Sequence, residues 1–324
     1  MTGCAFPSAS SRDSKRDGAG EPTGPDTFIA HLAMNRTATY SVITTVRNEE
    51  RNLPLTIESV VNQTIRPASW IIVDDGSKDR TGTVADAAAV EHRWVQAVHR
   101  RDRGFRQPGT GVVEAFYEGL RCIEDTKWDF LAKLDGDLSF APDYFERCLE
   151  HLEQDSRLGI AGGLICRRQT GILVAESPGD PAFHVRGAVK IYRRACWEQI
   201  GGLIKAPGWD TVDECKANLL GWNTRTFHEL KIHQLKDTGA ADGHWRNWVK
   251  NGLANYITGY HPLFMALKCL KRSGQKPYLV GAAGLWWGFC RGYVKRVSRV
   301  EDPALIRYVR RQQLNKLLGK PSLW

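Results

Sequence analysis

Two kinds of apolar run alternate along the chain. YSVITTV (40–46) is continuous, apolar and β-branched, the pattern of a strand buried on both faces. In RNEERNLPLTIESVVNQT, which follows, Leu53, Ile57, Val60 and Val61 recur at helical spacing. WIIVDDGS (70–77) predicts a second buried strand ending in acids and a glycine, and TGTVADAAAV (81–90) a second helix. WVQAVHR (94–100) predicts a third strand, GTGVVEAFYEGLRCI (109–123) a third helix and WDFLAKLDGD (128–137) a fourth strand. APDYFERCLEHLEQ (141–154) then starts like a helix, with Pro142 near its first turn.

Strands alternating with helices imply right-handed crossovers and an α/β fold, a mainly parallel sheet flanked by helices. Such sheets bind ligands outside the carboxyl ends of their strands. The polar clusters fall there: Arg47-Asn48-Glu49 after the first strand, Asp74-Asp75 after the second, Asp135 and Asp137 after the fourth. Neither G-x-G-x-x-G after the first strand nor G-x-x-x-x-G-K-[ST] anywhere is present, so a nucleotide would be held by side chains and a metal.

Asp135 and Asp137 are separated only by Gly136. Two carboxylates this close repel, and burial makes it worse. Their hard oxygens suit Mg²⁺ or Mn²⁺, which would remove the repulsion. Alone, the pair reads more readily as a turn in which Asp137 caps the helix beginning near Pro142, and only its neighbours make the metal reading persuasive.

Composition adds little against this picture. Hydrophobic residues make up 42% of the 324 and charged residues 25%, ordinary for a globular chain. The eight cysteines form no C-x-x-C pair and no zinc spacing, which predicts reduced, mostly buried thiols in a cytosolic protein. Residues 1–37, rich in Ser, Gly, Pro and mixed charge, are expected to be a disordered segment and not a signal peptide. A catalytic domain is expected over 38–240 and a basic helical region over 241–324.

Charge changes the picture more. Residues 245–324 hold fifteen Lys and Arg against two acids, Glu301 and Asp302, a balance of +13, while residues 1–244 balance at −4. An excess confined to the C-terminal region suggests an anionic surface as partner, not a nucleic acid bound by the whole protein. Within it YLVGAAGLWWGFCRGYV (278–294) is apolar but interrupted by Arg291. It reads either as an interfacial helix with Trp286 and Trp287 at the boundary or as a core helix. VRRQQLNKLLGK (309–320) is either a solvated helix or a membrane contact.

SVITTVRNEERNLPLTIESVVNQT, WIIVDDGSKDRTGTVA and DFLAKLDGDLSFAPDYF resemble, in order and spacing, the successive motifs of family 2 glycosyltransferases. The resemblance runs from about residue 40 to 235. It implies a GT-A nucleotide-diphospho-sugar transferase fold, a nucleotide-sugar donor, a divalent cation and inversion at the anomeric carbon. The first-strand motif, usually proline-x-tyrosine-asparagine-glutamate, reads Thr45-Val46-Arg47-Asn48-Glu49 here. Glu49 matches; Thr45 and Arg47 depart from it but occupy its donor-binding positions. The Asp-Asp-Gly-Ser motif matches at 74–77, with Asp75 as the residue holding the base, and Asp135 and Asp137 match the metal motif.

On the acceptor side, PGWDTVDECKANLLGW (207–222) resembles the region of the family's Glu-Asp motif, whose aspartate commonly lies eleven residues before a glycine. Gly221 places it at Asp210, with Trp209 where the glutamate stands; Asp213, beside Glu214, is the rival. HWRNW (244–248) does not match the Gln-x-x-Arg-Trp motif of processive synthases, which points to a single addition. The expected acceptor is a glycan or lipid-linked hydroxyl, at the cytoplasmic face of the cytoplasmic membrane. Two other readings stand beside this one. LAKLDGDLSF imitates the signature of phosphotransferases with an aspartate nucleophile, and the departures at Thr45, Arg47 and Trp209 would suit a silent sugar-nucleotide-binding or membrane scaffold.

Overall fold

The β-branched runs become the middle of one sheet. In a computed structural model, which describes residues 38–105, 109–123, 127–236, 243–275 and 278–324, strand β1 (Tyr40–Val46) lies between β2 (Ser69–Asp74) and β4 (Phe130–Asp135), parallel to both. Strand β3 (Val95–His99) continues the parallel set beyond β2. The segment 1–37 and the boundary expected at 240 fall outside the described residues.

Helices α1 (Leu53–Val61), α2 (Thr81–Glu91) and α3 (Thr110–Arg121) make the crossovers. Alternate residues of β1 serve two cores: Val42 and Val46 pack with Leu53 and Val60 of α1, whereas Ile43 packs with Val113 and Phe116 of α3. This burial on both faces is why the strand lacks polar alternation.

The second half is mixed. It comprises β5 (Leu138–Phe140), α4 (Tyr144–Gln154), β6 (Leu158–Gln169), β7 (Ile172–Ala175), β8 (Val189–Arg193), α5 (Arg194–Ile200), α6 (Trp209–Leu219) and β9 (Asn223–Gln234). The sheet order is β3-β2-β1-β4-β8-β6-β9-β5, with β7 on β6. β8 runs antiparallel to β4 and β6, β9 parallel to β6, and β5 antiparallel to β9. Only Gly136 and Asp137 separate β4 from β5, yet β8, β6 and β9 stand between them in the sheet. The two aspartates therefore sit at a corner, where the chain leaves the parallel strands for the far edge. A Cβ on Gly136 would lie 2.3 Å from Val46 Cγ1, so only glycine lets the corner close on β1.

Four further helices follow: α7 (His244–Ile257), α8 (Pro262–Ser273), α9 (Val280–Val294) and α10 (Pro303–Leu317). Their apolar core includes Tyr256, Met265, Leu285, Phe289 and Leu305 and is shared with Val212 and Cys215 of α6. Helices α7 and α9 meet backbone to backbone: a Cβ on Gly252 would lie 2.0 Å from the Leu285 carbonyl, and one on Gly288 2.0 Å from the Val249 carbonyl. Helix α10 turns Leu305, Val309 and Gln313 inward and leaves Arg307, Arg311 and Lys316 exposed. Among the described residues no helix is long and apolar enough to cross a membrane.

Candidate active site

The parallel strands end level. Val46 pairs with Asp74 and Thr45 with Asp135, so the loops after β1, β2 and β4 open on one side. The loop after β1 turns through Asn48, which adopts φ +55, a conformation asparagine tolerates better than most residues. Its amide donates to Ser77 Oγ (2.9 Å), and its side-chain oxygen accepts from the Lys78 amide (2.8 Å). Asp74 holds the same loop by accepting from the Ser77 amide (2.9 Å).

That leaves Asp75 facing a cationic cluster. Its carboxylate takes a hydrogen bond from Arg100 at 2.5 Å and another from Arg103. Arg47 donates to the Asp75 carbonyl (2.9 Å) and to Asp102 (2.7 Å). Burial pushes the Asp75 carboxyl up, against the pull of Arg100, Arg103 and Arg47. Thr45 Oγ1, at the end of β1, is buried without a hydrogen-bond partner among the described residues.

The paired aspartates lie next to this cluster. Lys133, buried within β4, ion-pairs with Asp135 and donates to the Gly187 carbonyl at 2.5 Å. Although 31% of the Asp135 side chain meets solvent, desolvation is the main influence on it; its carboxyl is pushed up, with Glu49 and Asp210 adding repulsion against Lys133. Asp137 is pushed up to about 7, by burial first and then by Asp135 and Glu49. It does not cap the helix after Pro142; that N-cap is Asp143, and Asp137 instead accepts a long bond from Gln234 (3.4 Å). Glu49 is held by Lys236 (2.7 Å) and Asn52 (2.8 Å). Glu49 and Asp210 thus lie close enough to Asp135 to add to its proton affinity, and Glu49 and Asp135 do the same for Asp137.

Helix α6 begins at Trp209 with Gly208 as N-cap, which puts Asp210 and Asp213 in different surroundings. Asp210 is partly exposed, and among the described residues its carboxylate has no hydrogen-bond partner. Asp213 is buried, with both oxygens 2.9 Å from Lys190 Nζ and one 2.6 Å from the Tyr192 hydroxyl. Glu214 accepts from Lys190 and the Val185 amide, both at 2.7 Å, and pairs with His184 at 2.9 Å. Burial would lower the proton affinity of Lys190, but Asp213, Glu214 and Asp210 outweigh it and raise it. Lys190 also donates to the Asp210 carbonyl (2.5 Å), tying the first turn of α6 to β8. Trp209 lies between two lysines, 5.3 Å from Lys133 Nζ and 5.7 Å from Lys190 Nζ, within cation–π range.

A family model described as Glycosyl transferase family 2 matches residues 41–177. This segment belongs to glycosyl transferase family 2. The family 2 segment holds the strand ends after β1, β2 and β4; Asp210 lies beyond it. An undecaprenyl-phosphate mannosyltransferase of Micrococcus luteus is 32% identical over 103 residues, 32% of this chain and 40% of that protein. A polyprenol monophosphomannose synthase of Mycolicibacterium smegmatis is 32% identical over 120 residues, 37% of this chain and 43% of that one. The chain therefore spans about two-fifths of the length of these relatives. A mannosyltransferase from Pyrobaculum calidifontis, solved with GDP-Man and Mn²⁺, shares the fold at a TM-score of 0.51 and 14% identity, covering 91% of this chain and 82% of its own. The fold is the GT-A arrangement that the motifs implied.

Arg47 apart, the sequence reading missed the cations of the site. Lys133 and Lys190 carried a signal, each being a lone lysine in an apolar strand run (FLAKLD, VKIYR), a placement that demands a buried partner. Arg100 closed the predicted third strand with no role attached, and nothing local marked Arg103 or Lys236.

Proposed function

We propose that the protein is an inverting glycosyltransferase that moves one sugar from a nucleotide-diphosphate donor to a hydroxyl of a glycan or lipid-linked acceptor. The observation that carries this reading is the convergence of Asp135, Asp137 and Glu49 with the unpartnered Asp210 beside the Asp75 cluster. Asp75 would hold the donor base, exchanging an arginine contact for the base edge, with Thr45 and Arg47 beside it. The polyprenyl-phosphate transfer named for two relatives supports a lipid-linked acceptor, presented at the cytoplasmic face of a membrane.

The donor set fits a divalent cation: Asp135 and Asp137 offer hard oxygens, and their mutual repulsion lacks a full counter-charge. Among the described residues no three His, Cys, Asp or Glu side chains form a ready-made metal cage, in keeping with Mg²⁺-type sites built from one or two carboxylates plus substrate phosphates. Bound by Asp135 and Asp137, Mg²⁺ or Mn²⁺ would neutralise charge on the departing diphosphate. Asp210 accepts the proton from the acceptor hydroxyl as that oxygen attacks the anomeric carbon from the face opposite the leaving group. Its position favours it over Asp213, whose oxygens are committed to Lys190 and Tyr192. Lys190 holds the backbone of Asp210, so the base is fixed by the fold and not by solvent.

The test is turnover of a nucleotide-sugar panel by purified protein with cell-envelope acceptors, wild type against Asp210→Asn. Sugar transfer by wild type that collapses in Asp210→Asn, with donor binding intact, is expected. Intact donors throughout the panel, or an unchanged variant, would overturn the reading.

A further inference from the structure

The C-terminal helices expose more apolar side chain than their packing uses. Of the eighteen large hydrophobic residues exposed among the described residues, twelve lie in 245–324. Scattered exposed leucines mean little, but a concentration of this kind marks a contact surface.

Helix α9 is apolar on both sides. Its glycine side, including Gly284, Gly288 and Gly292, is buried. The opposite side presents Val280, Trp287 and Val294, flanked by Trp286 and Tyr293, all exposed; Trp286 and Trp287 are 42% and 58% accessible. Helix α8 packs beside it and exposes Leu263, Leu267 and Leu270, spaced so that they share one helix face. Leu279, before α9, holds φ +60, unfavourable for a leucine, with 68% of its surface exposed. Lys271, Arg291, Lys295 and Arg296 are exposed around these residues.

A protein partner explains the apolar half of this pattern and the arginines but not Lys271 and Lys295, since lysine is depleted at protein interfaces. Tryptophan and tyrosine between a greasy face and a basic margin suit a lipid headgroup boundary. The fifteen residues of α9 reach about 22 Å, short of the roughly 30 Å hydrocarbon core, so the helix lies in the boundary and does not span it. We propose that the α8–α9 hairpin is a docking surface for membranes carrying anionic lipid headgroups, with Trp286, Trp287 and the α8 leucines entering the boundary. The inference uses no residue of the candidate active site and stands or falls apart from sugar transfer.

The test is cosedimentation of the full chain with phosphatidylcholine vesicles, with and without phosphatidylglycerol, across a salt series. Binding to the anionic vesicles that weakens with salt is expected. Trp286→Ala/Trp287→Ala, and separately Leu267→Gln/Leu270→Gln, should lower the partition coefficient by on the order of tenfold or more while keeping the wild-type circular dichroism spectrum. Lys271→Glu/Arg291→Glu should remove the preference for phosphatidylglycerol. No binding at any salt, or folded variants that bind like wild type, would overturn the proposal. So would a dimer in light scattering that the tryptophan substitutions dissociate while vesicles are ignored, since the face would then be covered by a second copy.

Discussion

Asp137→Asn removes a charge that the cation-free fold tolerates poorly. The Asp137 carboxyl stands at about 7 against an ordinary 3.8, through burial and then the nearby Asp135 and Glu49. That difference of about three units corresponds to at most roughly 4 kcal/mol of folding free energy. Water and side-chain rearrangement reduce it, so ~1–3 kcal/mol is the working range. The folded protein keeps a proton that the unfolded chain releases between about pH 4 and pH 7, so wild type loses stability as pH rises through that window and levels off above it. Asparagine is neutral throughout and loses nothing. In chelator near pH 8 the variant should therefore be the more stable protein, and its advantage should shrink as pH falls toward 4. Added Mn²⁺ should reverse the order, because a ligand that binds only the native state of wild type stabilises only wild type. Urea unfolding followed by tryptophan fluorescence, at several pH values with chelator or with Mn²⁺, measures each quantity. A variant less stable than wild type in chelator near pH 8, or a difference that ignores pH, would refute the account of this corner.

Three further outcomes follow from the same geometry. Asp210→Asn should cut transfer by about 10²–10⁴-fold in steady-state assays while donor affinity, read by calorimetry, barely moves. Lys190→Met leaves Asp213 and Glu214 buried without their cation and should cost roughly 3–5 kcal/mol in urea unfolding; a neutral effect would show that the network carries no net charge. Gly288→Ala puts a methyl group 2.0 Å from the Val249 carbonyl and should cost about 3 kcal/mol or more, seen as a lowered melting temperature; an unchanged one would mean that α7 and α9 separate freely.

The parallel half of the sheet was legible because its strands are buried on both faces and read as unbroken apolar runs, each followed by a polar strand end. The motif acids after those ends needed no tertiary information. The antiparallel half was not legible: β5 is three residues long and pairs with a strand near residue 233, which no local pattern encodes. The choice between Asp210 and Asp213 was undecided in sequence because both lie in the first turns of one helix. Only the position of Lys190 on a neighbouring strand separates a buried, paired carboxylate from an open one. For 278–294 the core reading describes the glycine side of α9, which packs inward, and the interfacial reading rests on the tryptophans, which face out. For 309–320 Val309 and Gln313 pack inward while Leu318, Arg311 and Lys316 are exposed, an arrangement that suits a solvated helix and a membrane contact alike.

The shared core of α6 with the C-terminal helices bears on how such a chain can change over time. The strand ends proposed to bind the donor lie in the segment that matches family 2, residues 41–177. Asp210 begins a helix whose Val212 and Cys215 share an apolar core with Met265, Leu285 and Phe289, residues of the two helices proposed as the docking surface. A change that repositions α6 must therefore be matched by repacking of the tail, and loss of the tail would strip the helix that carries Asp210 of its support. On the proposed reading, the donor side could change without the tail, whereas any change on the acceptor side would have to be accommodated by it.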